Sequence, residues 1–137
     1  MPDFFFNMYK KIIKNPLEKL TLGKKKHTTY YLTANIFYSG VHFAVRKKIV
    51  DTVKLYLKSE LRDCPLITKP VSISIGYQTN KNTNFDLDNK AYFWSKVICD
   101  ALQEMKKLPD DSTKYIQQIH YYYQRGDSKL IFQINVL

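Results

Sequence analysis

The run from Asn84 to Tyr115 constrains this chain more than any other. Ala91, Trp94, Ile98, Ala101, Leu102 and Met105 recur at three- and four-residue steps, which lines them along one stripe of a helix. The flanking segments alternate instead. Val71-Ser-Ile-Ser-Ile-Gly-Tyr77 reads as a strand with one polar face, and Lys114 to Tyr123 repeats that period. A helix from about Asp88 to Lys107, ended by Pro109, is therefore expected between two strands. At 1.5 Å per residue it would be roughly 30 Å long.

Carboxylates gather at both ends of that helix. Asp86 and Asp88 open it, and Asp110 and Asp111 stand in the turn that follows. Asp88 precedes the periodic run and is the expected cap, accepting from an orphan amide of the first turn, with Asp86 in an extended approach. Capping and an ordinary Pro-Asp-Asp-Ser turn would account for these residues without any chemistry. The alternative is a set of oxygen ligands for a hard cation such as Mg²⁺ or Mn²⁺, whose remaining ligands are waters and substrate phosphates. Phosphodiester hydrolysis suits such a set. It requires the far turn to fold back, because the two ends of so long a helix cannot touch one site.

The 137 residues are one domain's worth. Lysine and arginine number 22 against 12 acids, a net charge of +10, which favours a polyanionic partner, most simply nucleic acid. Ribosomal or membrane-surface partners would satisfy the same charge. The loop Lys24, Lys25, Lys26 and the cluster Arg46, Lys47, Lys48 are the candidate phosphate contacts. Cys64 and Cys99 match no metal-ligand spacing and read as reduced and structural, and the scattered histidines argue against zinc. Asp3 interrupts any secretory signal, and the uncharged stretch from His27 to Val45 is too polar for a membrane span. A soluble intracellular protein is expected.

In residues 1–22, Phe5, Met8, Tyr9, Ile12 and Ile13 against Lys10, Lys11 and Lys14 suggest a short basic amphipathic helix halted near Pro16, in an N-terminal extension 1–29. A strand is expected within Thr28 to Tyr38. After Gly40 a second helix carries Val41, Val45, Ile49, Val53 and Leu57 on one face and ends near Arg62. Gln78 to Thr83 is a polar loop. Arg125-Gly-Asp-Ser128 joins Tyr115–Gln124 and Lys129–Val136 into a hairpin, in which Tyr121, Tyr122 and Tyr123 read as sheet and interface residues. The order implies an α+β domain, a mixed sheet with two main helices packed on it.

The run Asp86-Leu-Asp88-Asn89, then Lys96, Asp100-Ala-Leu and Leu-Pro-Asp110-Asp111-Ser, resembles the RusA family of Holliday junction resolvases over roughly residues 30–137. That family shows an Asp-x-Asp-Asn motif, a lysine a turn into the helix, a DAL-like segment and a closing Asp-Asp. The resemblance implies a RusA-like fold, resolution of four-way DNA junctions by paired cuts, a homodimer, and Mg²⁺ with Mn²⁺ as a substitute. Asp86, Asp88 and Asp111, with Asp110 next, would be the metal ligands, and Lys96 would join Asp86, Asp88 and Asp111 in catalysis. A cytoplasmic, nucleoid-associated location follows, with a phage or prophage origin open. One departure is plain: the family lysine usually lies four residues after the second Asp, where Tyr92 stands here, and Lys96 lies eight after it, about 6 Å further along the axis. Lys90 is its rival, on nearly the opposite side of the helix. A nuclease for flaps or other branched DNA, and a non-catalytic nucleic-acid-binding protein, are the alternatives.

Overall fold

A computed structural model describes residues 7–23, 28–38, 40–81 and 84–137. In chain order its elements are β1 (Met8–Lys14), β2 (Lys19–Leu22), β3 (Thr28–Tyr31), α1 (Asn35–Tyr38), α2 (Phe43–Glu60), β4 (Val71–Thr79), α3 (Leu87–Glu104), β5 (Ile116–Arg125) and β6 (Lys129–Val136). The main sheet runs β1-β6-β4-β5, and β2 and β3 pair separately. β4 and β5 are parallel, with Ile75 opposite Tyr121, while β6 is antiparallel to both β4 and β1. Parallel neighbours need a crossover rather than a tight turn, and α3 is that crossover.

Period two sorts the sheet into faces. Ile73 and Ile75 of β4, and Leu130, Phe132 and Ile134 of β6, are fully buried beneath α3 and its neighbours. On α3 the stripe Ala91, Trp94, Ile98, Ala101 and Leu102 is buried against them, and α2 lays Ile49, Val53 and Leu57 into the same core. This is a single α+β domain with a mixed sheet, as the alternation and the helical stripes require. Both cysteines are buried and free, and burial pushes each thiol up to about 12. Among the described residues no helix is long and apolar enough to cross a membrane.

Four local expectations are corrected. Residues 8–14 form a strand, not a basic amphipathic helix: Ile13 is buried and Tyr9 half-buried on one side, and Met8, Lys10, Ile12 and Lys14 are exposed on the other. Adjacent apolar pairs such as Met8-Tyr9 and Ile12-Ile13 fit a helical stripe as well as a pleat. The β-branched pair and the open edge of β6 decide for the strand. Phe5 lies outside the described residues, as does part of the 78–83 loop, whose first residues instead extend β4 to Thr79. The strand expected in Thr28 to Tyr38 occupies only Thr28–Tyr31, and the remainder includes the helical turn α1.

The fourth correction is the end of α3, which stops before Pro109. Lys106 takes φ 60°, its amide bonds the Gln103 carbonyl, and the Lys107 amide bonds the Leu102 carbonyl, a Schellman closure. A side chain in this left-handed conformation costs about 1 kcal/mol. Lys106→Gly is therefore expected to stabilise the fold by roughly 0.5–1 kcal/mol, read as a higher urea midpoint with an unchanged slope. A lower midpoint would show that the lysine, not the backbone, governs this end.

Candidate active-site groove

A second stripe on α3 bears the chemistry. Asp88, Tyr92, Ser95, Lys96 and Cys99 recur at steps of three and four and turn toward the edge strand β5. The last four line a groove with Asp111, Ile116, Ile119 and Tyr121, enclosing about 170 Å³. Ser95 Oγ and the Tyr121 hydroxyl are hydrogen-bonded across it at 2.9 Å. Burial raises the Tyr121 hydroxyl above its ordinary range; the Ser95 bond opposes this, and the charge of Asp88 adds to the rise.

The acids divide by task. Asp86, not Asp88, is the helix cap: in extended conformation its Oδ1 accepts from Asp88 N at 3.1 Å and Asn89 N at 3.5 Å. The sequence suggested the reverse because the apolar stripe begins only at Ala91, whereas the helix starts a turn earlier at Leu87. Asp88 sits exposed in the first turn, its carboxylate making no hydrogen bond or ion pair among the described residues. Asp110 is held below the usual carboxyl range by Ser112, first through its hydroxyl and then through its amide, which donates at 2.8 Å in a local turn. Asp111 is exposed and reaches the groove at the level of Lys96 and Cys99. The acidic turn does fold back along α3, but not as far as Asp88, which lies about 12 Å up the helix axis from Lys96.

The lysines separate cleanly. Lys96 stands with Nζ 5.7 Å from the centre of the Phe37 ring and lines the groove with Asp111. Lys90 turns the other way, with Nζ 5.5 Å from the Tyr77 ring centre and 5.8 Å from that of Phe85. Its charge there helps lower Glu18, which accepts from Tyr77 and pairs with Lys81. Tyr92, where the family pattern has lysine, bonds the Tyr38 hydroxyl at 2.8 Å, and that bond with burial lifts it to about 12, so it is neutral. Of the other basic candidates, Arg46 donates to the Phe37 carbonyl at 3.2 Å and Lys47 pairs with Asp51 at 2.7 Å. Lys48 is exposed, and Lys24, Lys25 and Lys26 lie outside the described residues. Sequence reading missed Ser95, Cys99 and Tyr121 as groove residues, although the spacing from Asp88 to Cys99 already placed the α3 members on one stripe.

Among the described residues no group of three or more His, Cys, Asp and Glu side chains is arranged to hold a metal ion. The four aspartates are therefore not one cage. Mg²⁺ is commonly held by only one or two protein carboxylates, with waters and substrate phosphates completing its shell. The Asp88 carboxylate and the second oxygen of Asp86 fit that smaller demand.

Two substitutions separate cap from free carboxylate. Asp86→Ala should lower unfolding stability by about 1 kcal/mol and Asp88→Ala by no more than about half of that, by urea titration. Equal losses would contradict the cap assignment. A pH test bears on Asp100, whose carboxyl burial raises above its usual range against the pull of Lys96 and Lys54. A raised carboxyl stabilises fully only below its unfolded value of about 3.9, and that contribution is lost as pH rises through the folded value. Asp100→Asn should thus be more stable than the parent at pH 7, the gain vanishing below about pH 4. A gain that persists or grows in acid would contradict this. The chain matches no protein-family profile and no curated protein.

Proposed function

We propose that this protein is a metal-dependent endodeoxyribonuclease acting on branched DNA, most specifically a resolvase of four-way junctions. The observation that carries the reading is Asp88: an exposed carboxylate in the first turn of α3, without a hydrogen-bond or ion-pair partner among the described residues, next to the capping Asp86 and on the helix stripe that leads to Lys96. An exposed carboxylate that no described residue pairs, in a chain of net charge +10, is suited to a cation, and the charge excess is suited to a phosphate backbone.

In this reading Asp88 and Asp86 would hold Mg²⁺, or Mn²⁺ in its place, which supplies a lowered water pKa and charge stabilisation at the departing oxygen. Lys96 offsets the charge that builds on the phosphate during in-line attack, with the Phe37 ring steering its ammonium. Ser95 and Tyr121 hold the wall of the groove between helix and sheet. Asp111 stands in the groove at the level of Lys96, with Asp110 next to it in the turn. A homodimer would present two such sites to a junction that is itself two-fold symmetric, permitting paired cuts.

A second reading, a nucleic-acid-binding protein that does not cleave, is favoured by one observation: among the described residues no three acids are arranged to hold a metal ion. Variants decide between the two. Asp88→Asn should abolish junction cleavage in Mg²⁺ while leaving fold and junction affinity intact. Lys96→Ala should slow cleavage at least about tenfold, the loss of roughly 1.4 kcal/mol of transition-state stabilisation, with Lys90→Ala near the parent rate. Parent-like turnover by Asp88→Asn would remove the site from α3.

A further inference from the structure

The side of the main sheet away from α3 is covered by no helix among the described residues. Strand register sets its side chains in rows. Ile12, Ile131, Gly76 and Tyr122 cross the middle; Lys14, Lys129, Gln78 and Gln124 lie on one side of them, and Lys10, Gln133, Ser74 and His120 on the other. The strands place no aspartate or glutamate on this face. Asp127, at the hairpin tip, is the neighbouring acid, and Asn80 donates to its carboxylate.

Two features shape this face. Lys14 and Lys129 are directly opposed across β1 and β6, and like charges so placed repel. Neither they nor Lys10 form an ion pair among the described residues. Second, Gly76 sits in the centre of β4, where a glycine weakens a strand, and a Cβ there would collide with the ring of Tyr122. The missing side chain lets that ring lie across the sheet toward Ile131. The polar neighbours satisfy one another, Gln124 to Gln78, Gln78 to the Asp127 carbonyl and Gln133 to Asn135, so the face is already ordered.

We propose that this open face binds single-stranded nucleic acid, a base stacking on Tyr122 within the apolar central row and Lys10, Lys14 and Lys129 holding phosphates on either side. Aromatic rings on an open sheet flanked by cations are a general means of holding unpaired strands without sequence preference. Charge selects this occupant over a second copy of the chain, because the strands of this face offer lysines and no carboxylate to meet them. The face is on the opposite side of the sheet from the groove, and the inference stands without the nuclease reading.

The test is fluorescence anisotropy with a labelled oligothymidine of about twelve nucleotides, within the range one sheet domain occupies, in EDTA. The parent should bind at low salt. Replacing Lys10, Lys14 and Lys129 together by Ala should weaken binding at least about tenfold and reduce the salt slope by about two, at roughly 0.7 per phosphate lost. Tyr122→Leu should weaken binding about tenfold with the slope unchanged, and Tyr122→Phe, which keeps the ring, should bind as the parent does. Failure of the parent to bind, or parent-like binding by both the lysine variant and Tyr122→Leu, overturns the proposal. So does a parent dimer in sedimentation that Tyr122→Lys splits, since the face is then an interface between copies.

Discussion

The parallel pairing of β4 with β5 is the constraint on which the rest depends. Parallel neighbours force the chain to travel back the length of the sheet before the next strand begins, so α3 must run over the sheet from the end of β4 to the start of β5. Its 18 residues span about 27 Å, the distance that this return demands. Everything chemical about the molecule inherits that geometry. Asp86 and Asp88 are delivered to one end, Asp110 and Asp111 to the other, and the stripe between them is aimed at the exposed edge strand. Core packing fixes the roll of the helix: with Trp94, Ile98 and Leu102 buried, Asp88, Ser95, Lys96 and Cys99 can only face β5.

The same sheet separates two electrostatic environments. On the helix side, acids are interleaved with lysines: Glu104 takes both Lys54 and Lys58, Asp51 takes Lys47, and Lys96 shares its groove with Asp111. Such exposed pairs add little stability individually. They occupy Lys47, Lys54 and Lys58 of α2, and among the described residues no cation pairs with Asp88. On the open side the mixing is confined to the hairpin tip, where Asp127 shares a hollow with Lys14 and Lys129, and the strands themselves carry lysines among neutral amides and hydroxyls. A strong positive excess thus need not be uniform to act on a polyanion; the part of it left unpaired is what a phosphate backbone meets.

Much of this was legible in the sequence because period and burial agreed. The alternation of Val71 to Tyr77 and the stripes of α2 and α3 each had one reading, and each gave an element of the expected type whose ends alone differ. At the N-terminus period and burial did not decide: Met8-Tyr9 and Ile12-Ile13 satisfy both periods, and the choice rests on an edge of β6 that lies more than a hundred residues away in the chain. The cap was misplaced by two residues because Leu87 and Lys90, which begin α3, are off the core stripe that announced the helix. At the site the residue types were readable but their assembly was not. Whether Asp111 rises to the level of Lys96 or of Asp88 depends on how the chain reverses after Lys106, and no local pattern encodes that distance.

The most direct measurement is cleavage by the unmodified protein of a labelled, immobile four-way junction, set beside a flap and a linear duplex of the same sequences, in Mg²⁺ and in EDTA. The account predicts nicks in two strands of like polarity, symmetric about the junction, in Mg²⁺ alone, with the linear duplex left intact. No cleavage of the junction in Mg²⁺ or Mn²⁺, or cleavage of linear duplex at the same rate, would contradict it.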